Sequence, residues 1–324
     1  MSETESLKSL LRKDNGEAQE ESSGVAPGSG DVLKIAVVGA GTMGQGIAQA
    51  ASQAGIDVMI LERDDLSLQA SVDGIAESID YEISRWAKTE SDKKAILSRI
   101  TGTTSFKDIA AEPIIIEALP DELEAKRHIF RTLDGTCKPH SIFITNTSVL
   151  SITEIAEVTD RQEQVIGMHF MNPVPKTPVV EIVRGLKTSD KTFDSISKFA
   201  VQLKKTPIEV YEYPGYVTTR VILPMINEAM YVLMEGVASA EDIDKAIKLG
   251  YNMERGPLAL ADQMGLDEVK TWMESLFREL GDLKYRPCPL LRKKVRAGQL
   301  GRKSGHGFFY YNEHGIRIQR GSAE

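Results

Sequence analysis

Cysteine is close to absent from this chain. Cys137 and Cys288 stand apart, in none of the spacings that hold zinc or form redox dithiols, which excludes a disulfide framework and a cysteine metal site. Such usage predicts a reducing compartment and a cytoplasmic protein. Long apolar runs are missing too: none approaches the roughly 18–20 residues that span a bilayer. Nor is there an excess of positive charge. With 39 Lys and Arg against 47 Asp and Glu, the formal charge is −8 and the pI about 5.4, which excludes nucleic acid or an anionic membrane as the main partner. Residues 1–30 lack the apolar core of a secretory signal. They also carry Glu3, Glu5, Asp14, Glu17, Glu20 and Glu21, unlike an acid-poor mitochondrial presequence. Rich in Ser, Glu and Gly, they are expected to form a disordered tail.

What remains is an ordinary globular composition over 324 residues, more than a single core usually serves, so two domains are expected. Up to about Tyr213, short β-branched runs alternate with longer amphipathic segments, the pattern of a mostly parallel sheet with helices on its faces. Strands are predicted at 33–38, 57–61, 114–117, 141–145, 164–170, 179–183 and 207–211, with a helical pair across 66–99. After Tyr213-Pro214-Gly215, a turn signal, the segments 217–236, 239–248, 267–280 and 289–297 read as helices. The expected fold is an α/β Rossmann-like domain over 31–214, followed by an all-helical domain over 215–324.

The segment Val37-Val38-Gly39-Ala40-Gly41-Thr42-Met43-Gly44 joins a buried strand to a glycine turn and a helix. Gly39 permits the turn, Gly41 lets backbone approach a phosphate, and Gly44 lets the helix pack on the sheet. Thr42 and Met43 open that helix, whose free amides and positive dipole end suit a pyrophosphate. The next strand ends in Glu62, roughly 20 residues on, where a carboxylate accepts bonds from both ribose hydroxyls and repels a 2′-phosphate. The set predicts NAD rather than NADP, with the adjacent Arg63 tempering the preference.

Polar segments cluster where strands of such a sheet end: Thr145-Asn146-Thr147-Ser148, the run Met168-His169-Phe170-Met171-Asn172-Pro173, Glu181, and Thr218-Thr219-Arg220. A connection stiffened by Pro173, Pro175 and Pro178 brings His169 beside Glu181. Oxidising a secondary alcohol with NAD requires a base of near-neutral pKa to take the hydroxyl proton. Histidine suits that task, and a carboxylate on its other ring nitrogen fixes the tautomer. Ser148 offers a hydroxyl to hold the substrate oxygen. Spacing alone leaves open that His169 is a satisfied core histidine.

These residues carry a resemblance. The chain is similar to the short-chain L-3-hydroxyacyl-CoA dehydrogenase family, and within it to the 3-hydroxybutyryl-CoA dehydrogenases. The resemblance spans most of 33–311, through Gly39 to Gly44, Asn146-Thr147-Ser148, Gly167 to Pro173, Pro224 to Ala229, Gly256 to Asp262, and Gly301 to Phe308. It implies an acyl-CoA thioester substrate, a homodimer, substrate binding and dimerisation by the helical domain, His169 as general acid/base, Glu181 as its partner and Ser148 on the 3-oxygen. It also implies Asp121, Lys126, Asn172 and Lys303 near NAD. The bland alternatives are lysines on solvated faces and an asparagine capping a corner.

The chain departs from that family at several positions. Thr219 stands where an asparagine supports the substrate oxygen, and Asp121 where a glutamate is usual. Lys176-Thr177-Pro178 and Arg255 also differ, and the helix through 71–84 is acidic where relatives place lysines toward CoA. Two other functions remain open to the sequence: an NAD-dependent dehydrogenase of a free hydroxy acid, and a non-catalytic NAD-binding scaffold.

Overall fold

The computed structural model describes residues 31–319; the expected tail, 1–30, lies outside the described residues. Eight strands form one sheet in the order β3-β2-β1-β4-β5-β6-β7-β8. They are β1 (Lys34–Val38), β2 (Asp57–Leu61), β3 (Ile100–Thr103), β4 (Ile114–Glu117), β5 (Ile142–Thr145), β6 (Val165–Phe170), β7 (Val179–Arg184) and β8 (Thr206–Tyr211). Neighbours run parallel except β6 and β7. The strand order reverses direction between β1 and β4, and the crevice at such a switch point is where ligands bind in open α/β sheets.

All seven expected strands are present, with ends shifted by at most one residue. The eighth, β3, was not anticipated. Its sequence Ile100-Thr101-Gly102-Thr103 is short, contains a glycine and has no fully buried residue. It is a strand because β2 offers an open edge.

One face of the sheet is covered by α1 (Thr42–Gln53), the pair α2 (Asp65–Ser84) and α3 (Glu90–Leu97), and α6 (Asp190–Gln202). The opposite face is covered by α4 (Leu123–Thr136) and α5 (Ile152–Ala156). Local chemistry sets the helix ends. Asp64 accepts the Ser67 amide at 2.7 Å to start α2, and Thr89 and Asp92 form a reciprocal capping box at α3.

Beyond Gly215 the chain is helical: α7 (Thr218–Met234), α8 (Ala240–Gly250), α9 (Pro257–Met264), α10 (Leu266–Leu280) and α11 (Pro289–Arg296). Leu223, Ile226, Met230, Leu258, Met273 and Leu276 build its core. A small antiparallel ribbon, β9 (Tyr310–Tyr311) with β10 (Arg317–Ile318), adds strand to a region expected to be helix alone. It is two residues per strand, too short to leave a periodic pattern.

Asp262 of α9, only 1% exposed, anchors the segment leading into that ribbon. Its oxygens accept the amides of Phe308 and Phe309 at 2.8 and 2.9 Å and the Tyr311 hydroxyl at 3.1 Å. Burial pushes its carboxyl up to about 6, against the lowering effect of those donors. The folded state therefore holds a proton on Asp262 more tightly than the unfolded chain, and this contribution to stability is lost as pH rises from about 4 through 6. Asp262→Asn, which cannot accept on both atoms, is expected to cost ~1–3 kcal/mol in urea unfolding near pH 8. The gap to the parent should widen by up to ~3 kcal/mol as pH falls from 6 to 4; an unchanged midpoint at both pH values would remove Asp262 as the anchor.

Candidate active site

The glycine turn is shaped by close backbone approach. Gly39 has φ of +81°, where a side chain is strained, and its amide donates to the Leu61 carbonyl at 2.9 Å. A Cβ on Gly44 would lie 2.0 Å from the Gly39 carbonyl oxygen, whereas one on Gly41 would meet nothing within 4 Å. Gly44 thus serves helix packing, and Gly41 faces open space. Helix α1 begins at Gly41 with no side-chain cap, so its first-turn amides are left to an anion, with Thr42 exposed and Met43 half-buried beside them. These features fit the pyrophosphate of a dinucleotide.

Glu62 follows β2, half-buried. Its carboxylate accepts the Ala40 amide at 2.5 Å and the Arg63 amide at 3.3 Å, which stations it over the glycine turn. The Arg63 guanidinium points elsewhere, donating to Asp64 and Ser67 at 3.1 Å each. Its charge is engaged with the start of α2, which leaves Glu62 as the charged group over the glycine turn.

The second half of the site comes from the one antiparallel pairing in the sheet. In the β6–β7 register His169 lies directly opposite Glu181, and His169 Nδ1 meets Glu181 Oε2 at 2.6 Å. Both are buried, at 6% and 1% exposed. The other carboxylate oxygen accepts the amides of Val217 and Thr218 at 3.2 and 2.8 Å, and Thr218 Oγ1 donates to Oε2 at 2.9 Å. Burial works to raise the Glu181 pKa. The bond and charge of His169, with the Thr218 amide and hydroxyl, outweigh it and hold the carboxyl below its ordinary value.

Ser148 sits at the turn after β5, its amide donating to Asp121 at 3.1 Å. Asn146 Oδ1 accepts the Phe170 amide at 3.2 Å, tying the end of β5 to the end of β6 beside His169. Asp121 thus fixes the Ser148 corner.

Lys126 lies beneath this corner. Fully buried, its ammonium donates to both oxygens of Glu117 at 2.8 and 2.9 Å and to the carbonyls of Leu119 and Asn146 at 3.0 and 2.9 Å. Glu117 also accepts the Thr145 hydroxyl at 2.7 Å. Lys126 therefore bears on a ligand through the loops it braces rather than by offering its ammonium. Lys303, by contrast, is half exposed and paired with Asp267 at 2.6 Å at the start of α10. The neighbouring carboxyl of Glu268, raised by burial and lowered by Lys303, also feels Asp121. Lys303 and Asp121 therefore face one electrostatic neighbourhood, although no bond joins Lys303 to the His169–Glu181 pair. Asn172 accepts Gln263 Nε2 of α9 through its carbonyl at 3.2 Å, and Arg255 bonds the same glutamine. Thr219 is buried in the first turn of α7.

Sequence reasoning missed three contributors. Glu117 looked like the last residue of a strand. Tyr216, whose hydroxyl donates to the Leu150 carbonyl at 2.6 Å and whose ring lies 5.7 Å from that of His169, follows the turn signal Tyr213-Pro214-Gly215 and carries no signal of its own. Thr218 was read only as part of a polar cluster.

A glycine-bound helix start, a ribose-side carboxylate and a buried histidine–carboxylate pair define the class: a dinucleotide-dependent oxidoreductase. Family models agree. The 3-hydroxyacyl-CoA dehydrogenase NAD-binding domain matches residues 34–213 and the C-terminal domain of the same enzymes matches 215–311. The chain is 47% identical to the probable 3-hydroxybutyryl-CoA dehydrogenase of Bacillus subtilis, over 87% of this chain and 99% of that one. It is 45% identical to the 3-hydroxybutyryl-CoA dehydrogenase of Clostridioides difficile, over 87% and 100%. The crystal structure of (S)-3-hydroxybutyryl-CoA dehydrogenase from Ralstonia eutropha superposes with a TM-score of 0.79 at 46% identity, covering 87% of this chain and all of that one. The chain belongs to the 3-hydroxyacyl-CoA dehydrogenase family; it is an NAD-dependent oxidoreductase acting on CH–OH groups.

Replacing Glu62 with alanine is expected to weaken NADH binding about tenfold, in line with ~1.4 kcal/mol for lost ribose bonds, while leaving NADPH binding equal or tighter. Calorimetric titration with both nucleotides reads this directly. An unchanged ratio of affinities would place cofactor choice elsewhere.

Proposed function

We propose that the protein oxidises a short-chain (3S)-3-hydroxyacyl-CoA, such as 3-hydroxybutyryl-CoA, to the 3-oxoacyl-CoA, with His169 as general base. The observation that carries the reading is the 2.6 Å contact between His169 Nδ1 and Glu181, in a chain this similar to 3-hydroxybutyryl-CoA dehydrogenases. Bound NAD supplies the hydride acceptor. With Nδ1 committed to the carboxylate, Nε2 is the ring nitrogen left to take the substrate's hydroxyl proton. Glu181 fixes the tautomer and stabilises the imidazolium that forms, which lowers the barrier without the carboxylate itself being protonated. Ser148, anchored through Asp121, holds the substrate oxygen, and Thr219 lines the same wall with a shorter reach than an asparagine. Gly39, Gly41, Thr42, Met43, Gly44 and Glu62 hold the adenosine and pyrophosphate side of the cofactor. Asp121, Asn172 and Lys303 contribute from the rim, and Lys126 from below.

The domain division at about Gly215 and a homodimer belong to the same proposal. The two family models meet at that glycine, and Val217, at the N-cap of α7, and Val221, one turn further on, are 51% and 67% exposed, the apolar face a second copy would cover. Two free, buried thiols suit the cytoplasm.

Purified protein is expected to form NADH from (S)-3-hydroxybutyryl-CoA and to consume it with acetoacetyl-CoA. His169→Ala should lower kcat/KM by about 10²–10⁴-fold. Full turnover in that variant would overturn the base assignment. Equal rates on the free acid would move the substrate class to hydroxy acids, and tight NADH binding with no turnover on any thioester would favour a scaffold. Light scattering on the eluting protein tests the dimer, with a monomer mass as the contrary result.

A further inference from the structure

Helix α7 opens on adjacent threonines with different surroundings. Thr219 is buried in the wall of the helical region. Thr218, half-buried, turns its hydroxyl to Glu181 Oε2 at 2.9 Å, the same oxygen that meets His169 Nδ1 at 2.6 Å. Oε2 therefore serves two side-chain donors, while Oε1 serves the two backbone amides of Val217 and Thr218. The other titratable groups around the pair are the Tyr216 phenol, packed against the imidazole, and Asp121 and Glu212, which act on that phenol. None of the three brings positive charge, so the Thr218 hydroxyl is the side-chain group that competes with His169 for the carboxylate.

We propose that Thr218 is a positioning residue that sets the basicity of the His169–Glu181 pair through its hydroxyl bond to Glu181, an assignment that rests on His169 being the base. Each donor on a carboxylate draws charge from it and weakens its hold on a neighbouring imidazolium. With the hydroxyl in place, Glu181 orients His169 and steadies its charged form without holding the proton too firmly for release at each turnover. Without it, Oε2 turns its full charge on Nδ1, the imidazolium is favoured, and the base is recovered only at higher pH. The two groups are in direct contact, so the effect is to be read in the activity profile and not at either residue alone.

The test is the pH dependence of kcat/KM for (S)-3-hydroxybutyryl-CoA oxidation by the full chain at saturating NAD, in the parent, Thr218→Val, Thr218→Ala, Thr218→Ser and His169→Ala. The acid limb is expected to move up by about half a pH unit in the valine and alanine variants and to return in the serine variant. On the acid side this lowers the rate about threefold beyond any loss on the plateau. A merely structural threonine would lower the rate equally at every pH and leave the limb in place, and that result in whichever of the valine and alanine variants folds overturns the proposal. Turnover retained by His169→Ala overturns the underlying base assignment instead. An inactive His169→Ala with an unmoved limb in the Thr218 variants overturns the role of Thr218 alone.

Discussion

A carboxylate as enclosed as that of Glu181 has to be met by donors on every side, because an uncompensated buried charge costs several kcal/mol. The donors come from two parts of the chain. His169 approaches from the neighbouring strand, and the start of α7 supplies two amides and a hydroxyl. The positive end of a helix dipole adds to the same effect. This requirement dictates how the helical region leaves the sheet. Gly215 has φ of +82° and Tyr216 a left-handed φ of 49°, and with that turn the amides of Val217 and Thr218 point at the carboxylate. The Tyr216 hydroxyl, bonded to the Leu150 carbonyl, pins the turn to the opposite face of the sheet. One carboxylate thus holds together His169, two neighbouring strands of the sheet and the first helix of the second region.

The direction of β7 is the second condition. Had β7 run parallel to β6, the chain would have needed a long crossover to bring it alongside. Running antiparallel, it returns after an eight-residue connection and sets Glu181 opposite His169 as a cross-strand pair. Lys205 braces that connection from the start of β8, donating to the carbonyls of Val174 and Thr177, the latter at 2.7 Å. The geometry of the His169–Glu181 pair is therefore a property of the sheet's hydrogen-bond ladder, which is more rigid than a loop.

Much of this was legible in the residues. The glycine turn, the acid after β2 and the apolar runs of the parallel strands each carry a local signature that tertiary contacts did not override. His169 and Glu181 were readable because each lies on a strand whose length and proline-rich connection imply pairing. What escaped the sequence depends on contacts between distant positions. The strand β3 exists because a neighbour needs a partner. Helix α9 begins at Pro257 and spans only eight residues, too few for a clear period. Lys126, in a charged helix, reads as a solvated lysine, yet it is wholly buried because Glu117 ends the adjacent strand nine residues earlier. Thr218 resembles any polar residue near a helix start until the carboxylate it serves is located.

Glu117 and Glu181 are two buried acids of the same fold with different partners. Both are buried at the ends or middle of central strands, and both are met by four hydrogen bonds or more. Glu117 is paired with a lysine whose ammonium is also held by two backbone carbonyls. Burial pushes the Glu117 carboxyl up against the opposing effect of Lys126, the Thr145 hydroxyl and the Leu119 amide, and the pair's effect is to hold Asn146 and the Ser148 corner in place. Glu181 is paired with a histidine, the side-chain type suited to exchanging a proton near neutrality. Its environment must suit both forms of that partner, and neither too few donors nor too many would do so. Too few would trap the imidazolium, and too many would leave the ring without an orienting acceptor. The distinction lies in the partner's capacity to change charge, and burial alone does not reveal it.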